Sequence, residues 1–102
     1  MYVKVYSYHI KPGMEREYLQ IQEEAEQIYA RYIDKQTLHL KSKYNQTKWM
    51  EIHMYESEEL YKDRIQLIDQ QSDIQELYKR FLTVVNTDDC LSEEEYELII
   101  RR

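Results

Sequence analysis

The side chains able to do chemistry in this 102-residue chain are three histidines, eleven tyrosines, one tryptophan and one cysteine, set among many carboxylates. His9, His39 and His53 all fall in segments that alternate like strands. A neutral imidazole is a metal ligand and a proton acceptor near pH 7. With strands one and three as neighbours, His9 and His53 could approach and begin an acid–base or metal site. A zinc site needs three or four ligands about 2.0–2.3 Å from one point, and no Cys or Asp is placed to complete one. The plainer reading makes the histidines polar positions on an interface-facing side of the sheet, bonded to Glu51 or water. Glu51 could act as a base, or pair with His53 or with a cation across an interface. No metal and no resident cofactor is expected.

The tyrosines carry the second possibility. Tyr6 and Tyr8 share one side of the first strand, where Tyr18, Tyr29, Tyr61 and Tyr78 on helical stripes could meet them. Phenol hydroxyls around an apolar space would hold the oxygens of a flat ligand. Core and interface packing, with the hydroxyls reaching the surface, is the plainer account. Trp49 divides similarly between an interface anchor and a pocket wall. Met50 and Met54 read as core filler. Cys90 has no sequence neighbour that would activate a thiol, and a lone cysteine forms no intrachain disulfide.

Composition removes several classes of function. The net charge is −6, with no basic stripe, so nucleic-acid phosphates would be repelled. One glycine and one proline leave no glycine-rich phosphate loop and argue for long regular elements. No apolar run approaches the roughly 20 residues that span a bilayer. No signal peptide is evident, and a cytoplasmic location is expected. The length suits one domain.

The elements that would position these residues follow from periodicity. Tyr2–Ile10 is apolar on both faces, as a strand buried on two sides reads. Met14–Ile33 carries an apolar stripe at helical spacing (Met14, Tyr18, Ile21, Ala25, Ile28, Tyr32), with acids on a solvated face. Asp34-Lys35 is read as a turn. Thr37–Lys43 and Lys48–Tyr55 alternate as strands around a hairpin turn at Tyr44–Gln46. Ser57 is an N-cap. A helix follows, is interrupted at Asp69–Gln71, and restarts at Ser72–Gln75, which has the form of a capping box. Asn86–Asp89 reads as a turn and Tyr96–Arg101 as a last strand.

The order β-α-β-β-α-β predicts an α+β, ferredoxin-like layer: a four-stranded antiparallel sheet with helices on one face. The other face is expected to carry Val3, Val5, Trp49, Tyr55 and Ile99, too much apolar surface for a small domain to leave wet. A second copy packed sheet to sheet about a twofold axis would cover it, giving a homodimer.

Lys11-Pro12-Gly13-Met14-Glu15 after a first strand, and Trp49-Met50-Glu51-Ile52-His53-Met54-Tyr55 running into Glu56-Ser57-Glu58-Glu59, resemble the dimeric α+β barrel superfamily. The nearest branch is the antibiotic biosynthesis monooxygenase-like one, and the likeness of layout covers nearly the whole chain. It implies two sheets forming a barrel, with a small-molecule site between each sheet and its own helices. Members include cofactor-independent monooxygenases, haem-degrading enzymes, isomerases and proteins without known activity. On that resemblance the pocket residues expected here are Tyr6, Tyr8, His53 and Arg64, with a small aromatic ligand. Many members carry Glu at the place of His53, and a His near Asp63 and Arg64. The haem-degrading Asn, Trp and axial His fall near Tyr6, Arg64 and Ile74, and Ile74 offers iron no lone pair. A non-catalytic binding or regulatory homodimer is the alternative, and a metal or haem protein acting through the histidines a third.

Overall fold

Strand β1 (Tyr2–His9) pairs on both sides, and its register fixes where every candidate residue points. The computed structural model describes residues 1–87 and 91–102, so Cys90 and the end of the Asn86–Asp89 turn lie outside the described residues. The other strands are β2 (Lys35–Lys41), β3 (Lys48–Tyr55) and β4 (Ser92–Glu97). All pair antiparallel in the order β2-β3-β1-β4, the expected ferredoxin-like sheet. Helices α1 (Glu15–Tyr29), α2 (Glu58–Asp69) and α3 (Ser72–Val84) pack on one face. No helix among the described residues is long and apolar enough to cross a membrane.

Side chains directly opposite each other in a sheet share a face. Tyr2 faces Tyr55, Lys4 faces His53, Tyr6 faces Glu51 and Tyr8 faces Trp49. Trp49, Glu51, His53 and Tyr55 therefore lie under the helices, which corrects their expected place on the open face beside Val3 and Val5. Trp49 and Tyr55 are 5% and 3% exposed, so neither is free to anchor a partner. The opposite set of β3, Met50, Ile52 and Met54, is on the open face with Val5, Leu38 and Leu40. The methionines are thus not filler beneath the helices. An apolar open face remains: Val3 and Val5 lie on it as expected, with Met50, Ile52, Met54, Leu38 and Leu40 where Trp49 and Tyr55 were expected.

The last strand also differs. Lys4 pairs with Glu93, and the Tyr2 hydroxyl with Glu95, so polar contacts hold β4 at Ser92–Glu97. β1 offers no partner beyond Tyr2, and pairing closes with the Leu98 amide on the Met1 carbonyl at 2.9 Å. Ile99 stands 78% exposed outside the sheet. Arg101 then reaches Gln36 on the far edge strand at 3.0 Å, so the C-terminal residues cross one end of the open face, over the row that contains Val3.

Local signals at helix ends divide in the same way. The Lys11–Gly13 turn closes through the Met14 amide on the Lys11 carbonyl, and Gly13 has φ 81, which L side chains rarely adopt. α1 stops at Tyr29 because the Tyr32 and Ile33 amides both return to its carbonyl, making a turn and releasing Lys35 into β2. The Ser72 hydroxyl does not cap α3; Gln75 instead donates to the Asp69 carbonyl at 3.1 Å across the α2–α3 junction. Ser57 does cap α2, accepting from the Leu60 amide at 3.1 Å. Ser57→Ala is expected to cost about 1 kcal/mol, measured as a shift in urea midpoint; a change under about 0.3 kcal/mol would show the cap to be idle.

Candidate functional site

The buried apolar side chains form two clusters, one around Tyr18, Trp49 and Val84, the other around Ile33, Tyr55 and Ile68. Residues of both line a cavity of ≈ 380 Å³ between the sheet and helices α1 and α3. β1 contributes Tyr6 and Tyr8, β3 contributes Glu51, His53 and Tyr55, and β2 contributes Lys35. Glu26 and Tyr29 come from α1, Tyr61 from α2, and Tyr78 and Phe81 from α3. The aromatic walls and few convergent polar groups are what small-molecule sites are made of.

A continuous polar chain runs through this space. The Lys35 ammonium donates to Glu26 Oε1 at 2.8 Å and to His53 Nδ1 at 2.9 Å. His53 Nε2 lies 2.9 Å from Glu51 Oε1. An ammonium only donates, so Nδ1 accepts and the Nε2–H donates to Glu51; the tautomer follows from the partners. The other Glu51 oxygen accepts from the Tyr8 hydroxyl, which also meets the hydroxyl of Tyr18. Glu26, whose side chain is 35% exposed, leads this chain to the surface, while those of Lys35, His53 and Glu51 are 5%, 9% and 11% exposed.

The electrostatics follow from burial and these bonds. Burial alone would raise the Glu51 carboxyl, but hydrogen bonds from His53 and Tyr8 outweigh it and hold the group below its ordinary value, so it is ionised at neutral pH. Burial lowers Lys35 despite the Glu26 carboxylate beside it. Burial and the Glu51 charge raise Tyr8, keeping it a neutral donor. Burial likewise raises Tyr6 and Tyr55. The Tyr6 ring meets the His53 imidazole edge-on at 5.6 Å and Tyr55 stacks on it at 6.4 Å, so the base is fixed in orientation. Chemically the site is an ionised carboxylate bonded to a positioned imidazole, in aromatic surroundings that limit water.

Three of the four expected pocket residues, Tyr6, Tyr8 and His53, come together here, with Tyr29, Tyr61 and Tyr78 as the expected further tyrosines. Arg64 does not: it lies on α2, does not line the cavity, and pairs with its neighbour Asp63. His9 and His53 do not approach, because they sit on opposite faces; His9 bonds Thr47 at 2.9 Å. His39 is the neighbour of His53, with ring centroids 6.4 Å apart, and burial lowers its pKa. Among the described residues no group of three or more His, Cys, Asp or Glu could hold a metal ion. Sequence reasoning missed Lys35 and Glu26, one read as a turn and the other as part of a solvated face. The usable signal was parity: Lys35, Thr37 and His39 alternate onto one face, and Gln22, Glu26 and Tyr29 recur at steps of four and three along α1.

No protein-family model matches the sequence, and no curated protein matches it. Solved structures do. A NIPSNAP domain protein from Burkholderia xenovorans superposes with a TM-score of 0.77 at 15% identity, over 97% of this chain and 95% of that one. SnoaB, a cofactor-independent oxygenase from Streptomyces nogalater, gives 0.76 at 8% identity, over 98% and 94%. A candidate antibiotic biosynthesis monooxygenase from Bordetella bronchiseptica gives 0.74 at 13% identity, over 97% of each chain. Such identities establish the fold alone: this chain shares the ferredoxin-like α+β fold of these structures.

Proposed function

We propose that the cavity binds a small, flat, electron-rich aromatic molecule with an acidic hydroxyl, and that Glu51, with His53, accepts its proton so that dioxygen can react with the resulting anion. The observation that carries this reading is the Glu51 carboxyl group, buried beside a tyrosine-walled cavity and held between His53 and Tyr8. Loss of a proton leaves electrons on a ring carbon, which pass to dioxygen as the C–O bond forms. The proton held by Glu51 completes the hydroperoxide. Its O–O bond then breaks as the remaining C–H proton leaves, giving a carbonyl and water. The hydroxyl, the ring C–H and O2 thus become two carbonyls and water, with no electrons needed from elsewhere. The oxygenase activity of SnoaB on the same fold supports the reading.

A second reading, a binding protein without catalysis, is favoured by one contact: Lys35 occupies His53 Nδ1, leaving that imidazole no free lone pair. Quinol- and anthrone-type compounds separate the two. The oxygenase reading expects a raised melting temperature and oxygen uptake that stops without substrate. Binding without uptake selects the second reading, and no melting shift across a broad phenol set defeats both.

The proposed assembly is a homodimer through the open sheet face. That face carries Val5, Ile52 and Met54, with Leu38 and Leu40 exposed by 47% and 45%. Ile52→Lys is expected to give monomers in sedimentation, since a buried unpaired ammonium costs far more than an exposed one. A stable wild-type monomer at micromolar concentration defeats the assembly.

A further inference from the structure

Among the described residues lining the cavity, Lys35 is the one amine. Its position is unlike that of a surface lysine. The side chain is 5% exposed, lies with its nitrogen 4.4 Å from the centre of the Tyr29 ring, and has a base on one side and an acid on the other. Proton acceptance by Glu51 gives this amine no necessary part. A buried amine next to an imidazole has the two properties of a nucleophilic lysine: its charged form is disfavoured, and its proton has somewhere to go.

We propose that Lys35 is a carbonyl-capturing amine, forming an imine with an aromatic aldehyde or ketone bound between the tyrosine walls. The proposal rests on the cavity of the reading above and not on its oxygen chemistry. His53 Nδ1, at 2.9 Å, takes a proton from the ammonium and becomes an imidazolium beside the Glu51 carboxylate. The freed nitrogen pair attacks the carbonyl carbon, a C–N bond forms, and the C=O π electrons move to oxygen. A proton moves from nitrogen to that oxygen, giving a carbinolamine. The imidazolium then protonates its hydroxyl, which leaves as water while the nitrogen pair closes the C=N bond. One ammonium and one carbonyl become one protonated imine and one water, and His53 returns to neutral. Lys4 is not an alternative, because its ammonium is held by Glu93 and Tyr61 and does not line the cavity.

The test is reductive trapping near neutral pH with 4-hydroxybenzaldehyde and sodium cyanoborohydride, read by peptide mass spectrometry. Each unit by which an amine pKa is lowered gives about tenfold more free amine. Lys35, whose charged form burial disfavours, is therefore expected to be labelled faster than the exposed Lys62 and Lys79. Lys35→Arg keeps a cation beside Glu26 and is expected to keep its circular dichroism and melting curve while losing the adduct. His53→Gln is expected to slow labelling at Lys35 and leave Lys62 and Lys79 unchanged. Labelling confined to exposed lysines in the folded protein overturns the imine. Quinol binding that persists in that case leaves the cavity reading standing, so the two failures are told apart.

Discussion

Tyr18→Ala is expected to remove about 3–5 kcal/mol of folding stability, by analogy with aromatic truncations in other cores. Tyr18 is fully buried, at 0% exposure. Its ring centroid lies 4.8 Å from that of Trp49 and 5.7 Å from that of Tyr8, so one side chain joins α1 to both central strands. Truncation leaves a void and deprives the Tyr8 hydroxyl of a neighbour. Domains of this size are stable by about 5–15 kcal/mol, so the loss would be a third or more of a middling value. Tyr18→Phe keeps the ring and is expected to cost about 1 kcal/mol, the net worth of one hydrogen bond. Trp49 is the only tryptophan and touches Tyr18, so its emission follows the transition directly. Urea midpoints with unchanged slopes would give the two numbers. An Ala variant within about 1.5 kcal/mol of wild type would show that the site repacks and that the core is not organised around Tyr18.

The layer order was legible because it rests on local pattern: a Tyr- and Val-rich run apolar on both faces in Tyr2–Ile10, alternation in Lys48–Tyr55, and three-and-four spacing in Met14–Ile33. The face of β3 was not. One set, Met50, Ile52 and Met54, is apolar, and the one holding Glu51 and His53 reads as the wetter. It goes inside because those two groups satisfy each other and Tyr8, which no single-strand pattern can reveal. A shift of one residue in pairing exchanges the faces, and the pairing of β3 with β1 is set across α1 and β2. β4 was misplaced for a related reason. Ile99 and Ile100 look like strand residues, yet Lys4 and Tyr2 select the glutamates. Lys35 and Glu26 were hidden because their roles depend on where α1 ends, and that end is fixed by the two amides returning to Tyr29. Tyr6 and Tyr8 were legible from the parity of β1, whereas His53 came from the resemblance alone, because the reading of β3 set it on the open face.

Glu51→Gln should leave the shape of the site and remove its charge. A glutamine oxygen can still accept from His53 Nε2, and its amide can face the Tyr8 hydroxyl. With the proton acceptor gone, oxygen uptake on a quinol is expected to fall about 10²-fold or more, the usual share of a positioned base. The pH dependence supplies a readout that needs no substrate. The folded-state pKa of Glu51 lies below its ordinary value of 4.5, so between the two values the unfolded chain binds more protons. The stabilisation from its ionised form is fully present above about pH 4.5 and is lost as pH falls through the folded value. The wild type should therefore lose stability on acidification by an amount that the Gln variant does not. Comparing urea-derived stabilities at about pH 3 and pH 7 measures this difference. An equal gap between the two proteins at both values would mean that Glu51 is not held ionised by His53 and Tyr8. A wild type that instead lost stability relative to the Gln variant on going from pH 3 to pH 7 would mean a carboxyl protonated in the folded protein, and the acceptor role would fall with it.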